Sequence, residues 1–251
     1  MNNVSFLNAG EQGLVVEFGT RIDPGINRLV HRTSELIAAA RISGIIEVVP
    51  TYRSLLIYFD PLAVTRADLA ALIGRLIGEG GPEAAQAQSA RIVEIPVSYG
   101  GEYGPDLDFV ARHTGLAPEE VVAIHTSVPY LVYMLGFTPG FPYLGGMSER
   151  IAAPRLEKPR TAIPGGSVGI AGSQTGIYPV TSPGGWQIIG RTPVKPFDPA
   201  SAEPFLFAAG DYLQFTAITA AEYTAIESRV AAGSYVPVCR TIDNKGGDKQ
   251  C

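Results

Sequence analysis

Apolar and polar positions alternate with two different periods in the first eighty residues. Gly13–Phe18 is a short β-rich run, and Asp23-Pro24 behind it reads as a helix cap followed by a first helical residue. From there Ile26, Leu29, Val30, Thr33, Leu36, Ile37 and Ala40 recur at the i, i+3, i+4, i+7 spacing of one helical face. Ile45–Val49 and Ser54–Phe59 are β-rich runs parted by Pro50-Thr51-Tyr52-Arg53, a hairpin pattern. Thr65-Arg66-Ala67-Asp68 then opens a second helix, with Leu69, Leu72, Ile73, Leu76 and Ile77 on its core side. The order β-α-β-β-α, with a further strand available at Val4–Leu7, predicts a small α+β sandwich of ferredoxin-like kind over residues 1–80.

The periodicity stops at Glu79-Gly80-Gly81-Pro82, and residues 81–90 read as an exposed linker. A new strand enters at Arg91–Val97. Two short helices follow, one from Asp106 to Gly115 and one opening at Pro118-Glu119-Glu120. After them come short β-type runs at Val128–Leu135, Ser167–Ala171, Trp186–Ile189, Phe205–Phe207 and Leu213–Ile218. Their spacing between Gly and Pro predicts a mainly-β barrel domain over 91–239. A helix at Ala220–Ala231 closes that domain, and 240–251 reads as a polar, flexible tail.

Composition narrows the picture. Apolar residues make up 46% of the 251, enough for real cores, yet no run reaches the ~20 residues of a membrane span. The N-terminus lacks the basic and apolar regions of a secretory signal, so a cytoplasmic protein with no membrane partner is expected. Cys239 and Cys251 both fall near the expected tail and imply no disulfide framework or zinc site. The net charge of −5 argues against nucleic acid as a partner. That charge is uneven: Gly136–Pro196 carries +4 and the remainder −9, which makes this stretch a candidate for concentrating a small anion.

The same stretch holds 21 of the chain's 49 Gly and Pro residues in 61 positions, which marks it as ordered turns between strands. No P-loop, nucleophile elbow, H-E-x-x-H or dinucleotide fingerprint occurs. His31 lies on the flank of the first helix and reads as structural; His113 sits at a helix C-terminus, where the dipole favours a cation. His125 reads either as a general acid or base at the barrel mouth, or as a hydrogen-bonded histidine in a helix-to-strand turn. Four turn clusters carry the remaining chemistry: Gly136–Tyr143, Pro154–Arg160, Gly172–Tyr178 and Ser182–Trp186. Gly and Pro let such loops present backbone N–H groups to an anion, and Arg155 and Arg160 add two-pronged carboxylate recognition.

Taken together, Tyr133-x-x-Gly136-Phe137-x-Pro139-Gly140-Phe141-Pro142-Tyr143, Pro154-Arg155 with Pro159-Arg160, Gly172-x-Gln174-Thr175-Gly176-Ile177-Tyr178-Pro179 and Ser182-Pro183-Gly184-Gly185-Trp186-x-x-Ile189-Gly190-Arg191-Thr192-Pro193 resemble the family of KipI and the 5-oxoprolinase B subunit, also called the allophanate hydrolase subunit 1 family. The resemblance covers nearly the whole chain. It implies a cyclophilin-like barrel behind the α+β domain. It also implies three possible roles. One is the B subunit of an ATP-dependent 5-oxoprolinase, which works with a homologous barrel partner, the C subunit (KipA-like), and a third, the A subunit, to open 5-oxo-L-proline to L-glutamate. A second is an inhibitor of a sensor histidine kinase, and a third is half of a biotin-dependent carboxyltransferase. On the first role ATP, with Mg, is used by the complex, and its contacts are expected on a partner. The candidate reacting groups are then His125, Tyr178 and Gln174. The candidate residues for a small carboxylate substrate are Arg155, Arg160, Thr175, Ser182 and Arg191.

Overall fold

The structure is a computed structural model that describes residues 4–79, 90–242 and 248–250. It divides into two compact units, Met1–Gln88 and Ser89–Cys251. Most of the expected linker lies outside the described residues, and its last member, Ala90, already begins a strand.

In the first unit β1 (Ser5–Asn8), β2 (Gly13–Glu17), β3 (Ile45–Pro50) and β4 (Ser54–Phe59) form an antiparallel sheet in the order β1-β2-β4-β3. Helices α1 (Pro24–Ala40) and α2 (Arg66–Glu79) complete the unit. Asp23 caps α1 by accepting from the Gly25 and Ile26 amides at 2.7 and 3.0 Å. Thr65 and Asp68 open α2 reciprocally, the Asp68 amide donating to Thr65 Oγ1 and that hydroxyl to Asp68 Oδ2. Leu14, Val16, Leu55, Ile57 and Phe59 alternate onto one sheet face and pack with Val30, Ile37, Leu69 and Ile73 of the helices. Asn27 is also buried, because its Nδ2 donates to the Thr51 and Tyr52 carbonyls and ties α1 to the β3–β4 turn.

The second unit is a nearly closed β-barrel. Its strands are β5 (Ala90–Tyr99), β6 (Tyr130–Leu135), β7 (Pro142–Gly145), β8 (Arg160–Ile163), β9 (Ser167–Ala171), β10 (Gln174–Ile177), β11 (Ser182–Gly184), β12 (Gln187–Arg191), β13 (Tyr212–Ile218), β14 (Cys239–Ile242) and β15 (Asp248–Gln250). The path runs β10-β9-β12-β5-β13-β6-β7, and β7 comes to lie against β10. β5 and β13 pair in parallel along Ile92–Ser98, and the Arg91–Asp211 ion pair at 2.6 Å fixes their start. Val93, Ile95, Val97, Val132, Val168, Ile170, Ile177, Leu213 and Phe215 fill the interior. Helices α3 (Leu107–Thr114) and α4 (Pro118–Thr126) follow β5, and α5 (Ala220–Ala231) follows β13. β8 and β11 form a separate two-stranded ribbon beside the main sheet.

Three expectations change. Phe205–Phe207 is not a strand: Phe205 makes one bridge to Phe197 and stays half exposed, while Phe207 is buried in the core. The tail does not begin at residue 240, because β14 pairs with β5 at Ala90–Val93 and with β15. β12 reaches only Ser98 and Tyr99 of β5, so the first half of that edge would otherwise carry unpaired backbone groups. Cys239, expected in a loosely packed tail, packs against the barrel core.

Candidate functional site

His125 sits in the last turn of α4 and is fully buried, not at the barrel mouth. Thr175 Oγ1 donates to the Gly169 carbonyl at 3.1 Å, so toward His125 it can only accept. The imidazole proton therefore sits on Nε2, 2.7 Å from that oxygen, and Nδ1 accepts from the Tyr99 hydroxyl at 2.8 Å. Tyr130 donates to the His125 carbonyl at 2.8 Å, and Phe215 stacks on the ring at 4.6 Å. Burial lowers the His125 pKa to about 3 and pushes those of Tyr99 and Tyr130 well up. Every proton in the chain is committed and none faces solvent. His125 and Thr175 thus make a buried network inside the barrel and not a pair at its mouth.

The other candidates are held in different ways. Arg191 ends β12, donates to the Gly165 carbonyl at 3.1 Å and lies near enough to Tyr223 of α5 to offset part of the rise that burial gives the Tyr223 pKa. Its partner across the sheet is Ser167 of β9, whose carbonyl accepts from the Tyr178 amide at 2.9 Å. Gln174 begins β10 at the turn after β9, roughly 13 Å along the strand from Tyr178. Ser182 opens β11, paired with Ile163 of β8, and its hydroxyl oxygen is buried without a hydrogen-bond partner.

The structure does bring together Tyr178, Arg155 and Arg160. Burial raises the Tyr178 pKa, while the Trp186 amide donating to its oxygen and the charges of Arg155 and Arg160 oppose that rise. Arg155 is exposed, and among the described residues no ion pair neutralises it. Arg160 is held differently: Nη2 donates to Asp106 Oδ1 at 2.8 Å and Nη1 to the Trp186 carbonyl at 3.4 Å.

An aromatic wall backs this lip. Phe141 meets Tyr143, Tyr178 and Trp186 edge-on, with ring centroids at 5.4, 5.9 and 5.7 Å. The motif glycines make room for it. A Cβ on Gly184 would lie 2.3 Å from the Tyr178 hydroxyl, and one on Gly176 would lie 3.2 and 3.3 Å from the Trp186 and Phe141 rings. At the rim, Phe137 has φ +64° in a tight turn closed by the Thr138 amide on the Gly136 carbonyl, and the residue is 73% exposed. Sequence reasoning missed Asp106, whose only local signal was its position before α3.

A small α+β unit ahead of a barrel with this loop set defines a carboxyltransferase-domain protein. The chain belongs to that family, described as carboxyltransferase domain, subdomain C and D, which it matches over residues 4–207, and within it to the group of KipI and the 5-oxoprolinase B subunit. It is 46% identical over 224 residues to the 5-oxoprolinase B subunit of Bacillus subtilis (strain 168), covering 86% of this chain and 93% of that protein. Against the same-named protein of Escherichia coli O157:H7 it is 54% identical over 133 residues, 53% of this chain and 61% of the relative. The crystal structure of TTHA0988 superposes with a TM-score of 0.73 at 39% identity, over 82% of this chain and 40% of that longer one.

Proposed function

We propose that the chain is the B subunit of a multi-subunit, ATP-dependent 5-oxoprolinase that opens the lactam of 5-oxo-L-proline to give L-glutamate. The observation that carries this reading is the near full-length similarity to a 5-oxoprolinase B subunit. The lip adds chemistry in the right sense. The substrate carries a carboxylate and an apolar ring, and Arg155 and Arg160 stand against the Tyr178–Phe141–Trp186 wall. Ser182, with its unpaired hydroxyl on the same ribbon as Arg160, supplies a further donor. In fold terms we read the first unit as ferredoxin-like, with its outer strand β1 contributed from the N-terminal side, and the second as cyclophilin-like.

Among the described residues no group of three or more His, Cys, Asp or Glu is placed to hold a metal ion. The sequence has no phosphate-binding Gly loop. We assign ATP and Mg to the complex as a whole, with their contacts expected on the two partner subunits, in the cytoplasm. No helix among the described residues is long and apolar enough to cross a membrane. A carboxyltransferase half-unit is the second reading, favoured by the family description.

Reconstitution tests the first reading. With separately purified subunits, ATP-dependent glutamate formation from 5-oxoproline is expected only when this chain is present. Full activity of the other subunits without it, or carboxyl transfer from biotin in its presence, overturns the assignment.

A further inference from the structure

We propose that Asp106 is a positioning residue that aims the Arg160 guanidinium at a carboxylate held on the lip. This rests on the reading of the lip as a carboxylate site.

Asp106 occupies the N-cap position of α3, where an aspartate ordinarily turns back to accept from the first-turn amides of its own helix. Here the side chain makes no such bond. One oxygen, Oδ2, accepts from the Ile188 amide of β12 at 2.7 Å, and the other, Oδ1, accepts from Arg160 Nη2 of β8 at 2.8 Å. The carboxylate is largely buried, so the amide bond fixes its plane and its position relative to the barrel sheet. That fixed plane orients the guanidinium, and the Trp186 carbonyl on Nη1 supplies a second point.

A guanidinium has five N–H donors, and these two bonds engage two of them. The rest remain for a ligand on a side chain that is 34% exposed and beside Tyr178. The two arginines therefore differ in kind. Arg160 is neutralised by Asp106 and contributes oriented donors, whereas exposed Arg155 contributes net positive charge.

The test is steady-state kinetics with 5-oxo-L-proline on the full reconstituted complex, using Asp106→Asn, Arg160→Ala and the double variant. Arg160→Ala is expected to raise KM about tenfold with kcat little changed, the loss of one charge-assisted contact in binding. Asp106→Asn is expected to raise KM by a comparable factor. The double variant should be no worse than Arg160→Ala, because Asp106 acts through Arg160. A wild-type KM in Asp106→Asn, or effects that multiply in the double variant, overturns the proposal while leaving the lip reading intact. Unchanged KM in both Arg155→Ala and Arg160→Ala removes the lip reading and this proposal with it. Should Asp106→Asn not fold, Arg160→Lys decides: it keeps the charge opposite Asp106 but not the planar fork, so a raised KM is expected and a wild-type KM overturns the proposal.

Discussion

His125 Nε2 lies 2.7 Å from Thr175 Oγ1, a bond between α4 and β10 that joins residues 50 positions apart inside the barrel. Replacing His125 by Ala leaves the buried Tyr99 and Thr175 hydroxyls without their partner and opens a cavity. A loss of about 3 kcal/mol of unfolding free energy is expected. Equilibrium urea denaturation of the purified chain measures it, and an unchanged midpoint would remove the network from the account of stability.

The same histidine makes stability pH-dependent in one direction. Its folded pKa is lowered to about 3 against an ordinary value of 6.5. Between those values the unfolded chain binds a proton that the folded chain does not, so stability is complete above about pH 6.5 and declines as pH falls toward 3. The slope due to this residue is up to about 1.4 kcal/mol per pH unit. Denaturation midpoints at pH 7, 6 and 5 should fall for the wild type. For His125→Gln they should fall less, and equal slopes would contradict the buried neutral assignment.

Gly184→Ala is expected to lose about 1–3 kcal/mol, because the new methyl would lie 2.3 Å from the Tyr178 hydroxyl and 2.8 Å from Ile163 Cδ1. Removing the hydroxyl in Tyr178→Phe should recover part of that loss, but not the part set by Ile163. Thermal unfolding of both single variants and the double variant gives the coupling; strict additivity would place Tyr178 away from Gly184.

At Phe137 the usual order of Ala and Gly should invert. With φ at +64°, an alanine keeps the left-handed strain and a glycine releases it, so Phe137→Gly is expected to be about 1 kcal/mol more stable than Phe137→Ala. Urea titrations of the two variants check this directly. An alanine variant at least as stable as the glycine would show that the turn is not held in that conformation.

Arg155→Ala should raise KM for 5-oxoproline in the reconstituted complex several-fold, and by a smaller factor at high salt, because Arg155 is exposed and its charge is screened. KM measured at low and high ionic strength separates this from Arg160, whose contribution is one of orientation. Equal salt sensitivity of the two alanine variants would remove that distinction.

Local pattern alone determined the helices and several strands. The apolar spacing of α1 and α2, the turn signals around α3 and α4, and the β-rich runs of β4 and β9 are properties of neighbouring residues, which periodicity records. The short strands β8, β10 and β11 left no such record, since runs such as Gln174-Thr175-Gly176-Ile177 and Ser182-Pro183-Gly184 lack alternation and read as turns. The Gly and Pro clusters were legible as tight turns. What each glycine accommodates was not, because Ile163 of β8 reaches Gly184 only once β8 and β11 pair.

The tertiary structure decided where the candidate residues lie. Closure of the barrel turned His125 and Thr175 toward each other and took both away from solvent. It also set the partners of the cations: Arg191 donates to the Gly165 carbonyl, and Arg155 and Arg160 act on Tyr178. Asp106 shows the reason most plainly: its two side-chain partners lie 54 and 82 residues away, so nothing in its own neighbourhood marks it. Local spacing sets which face a residue is on; only long-range pairing sets what that face meets.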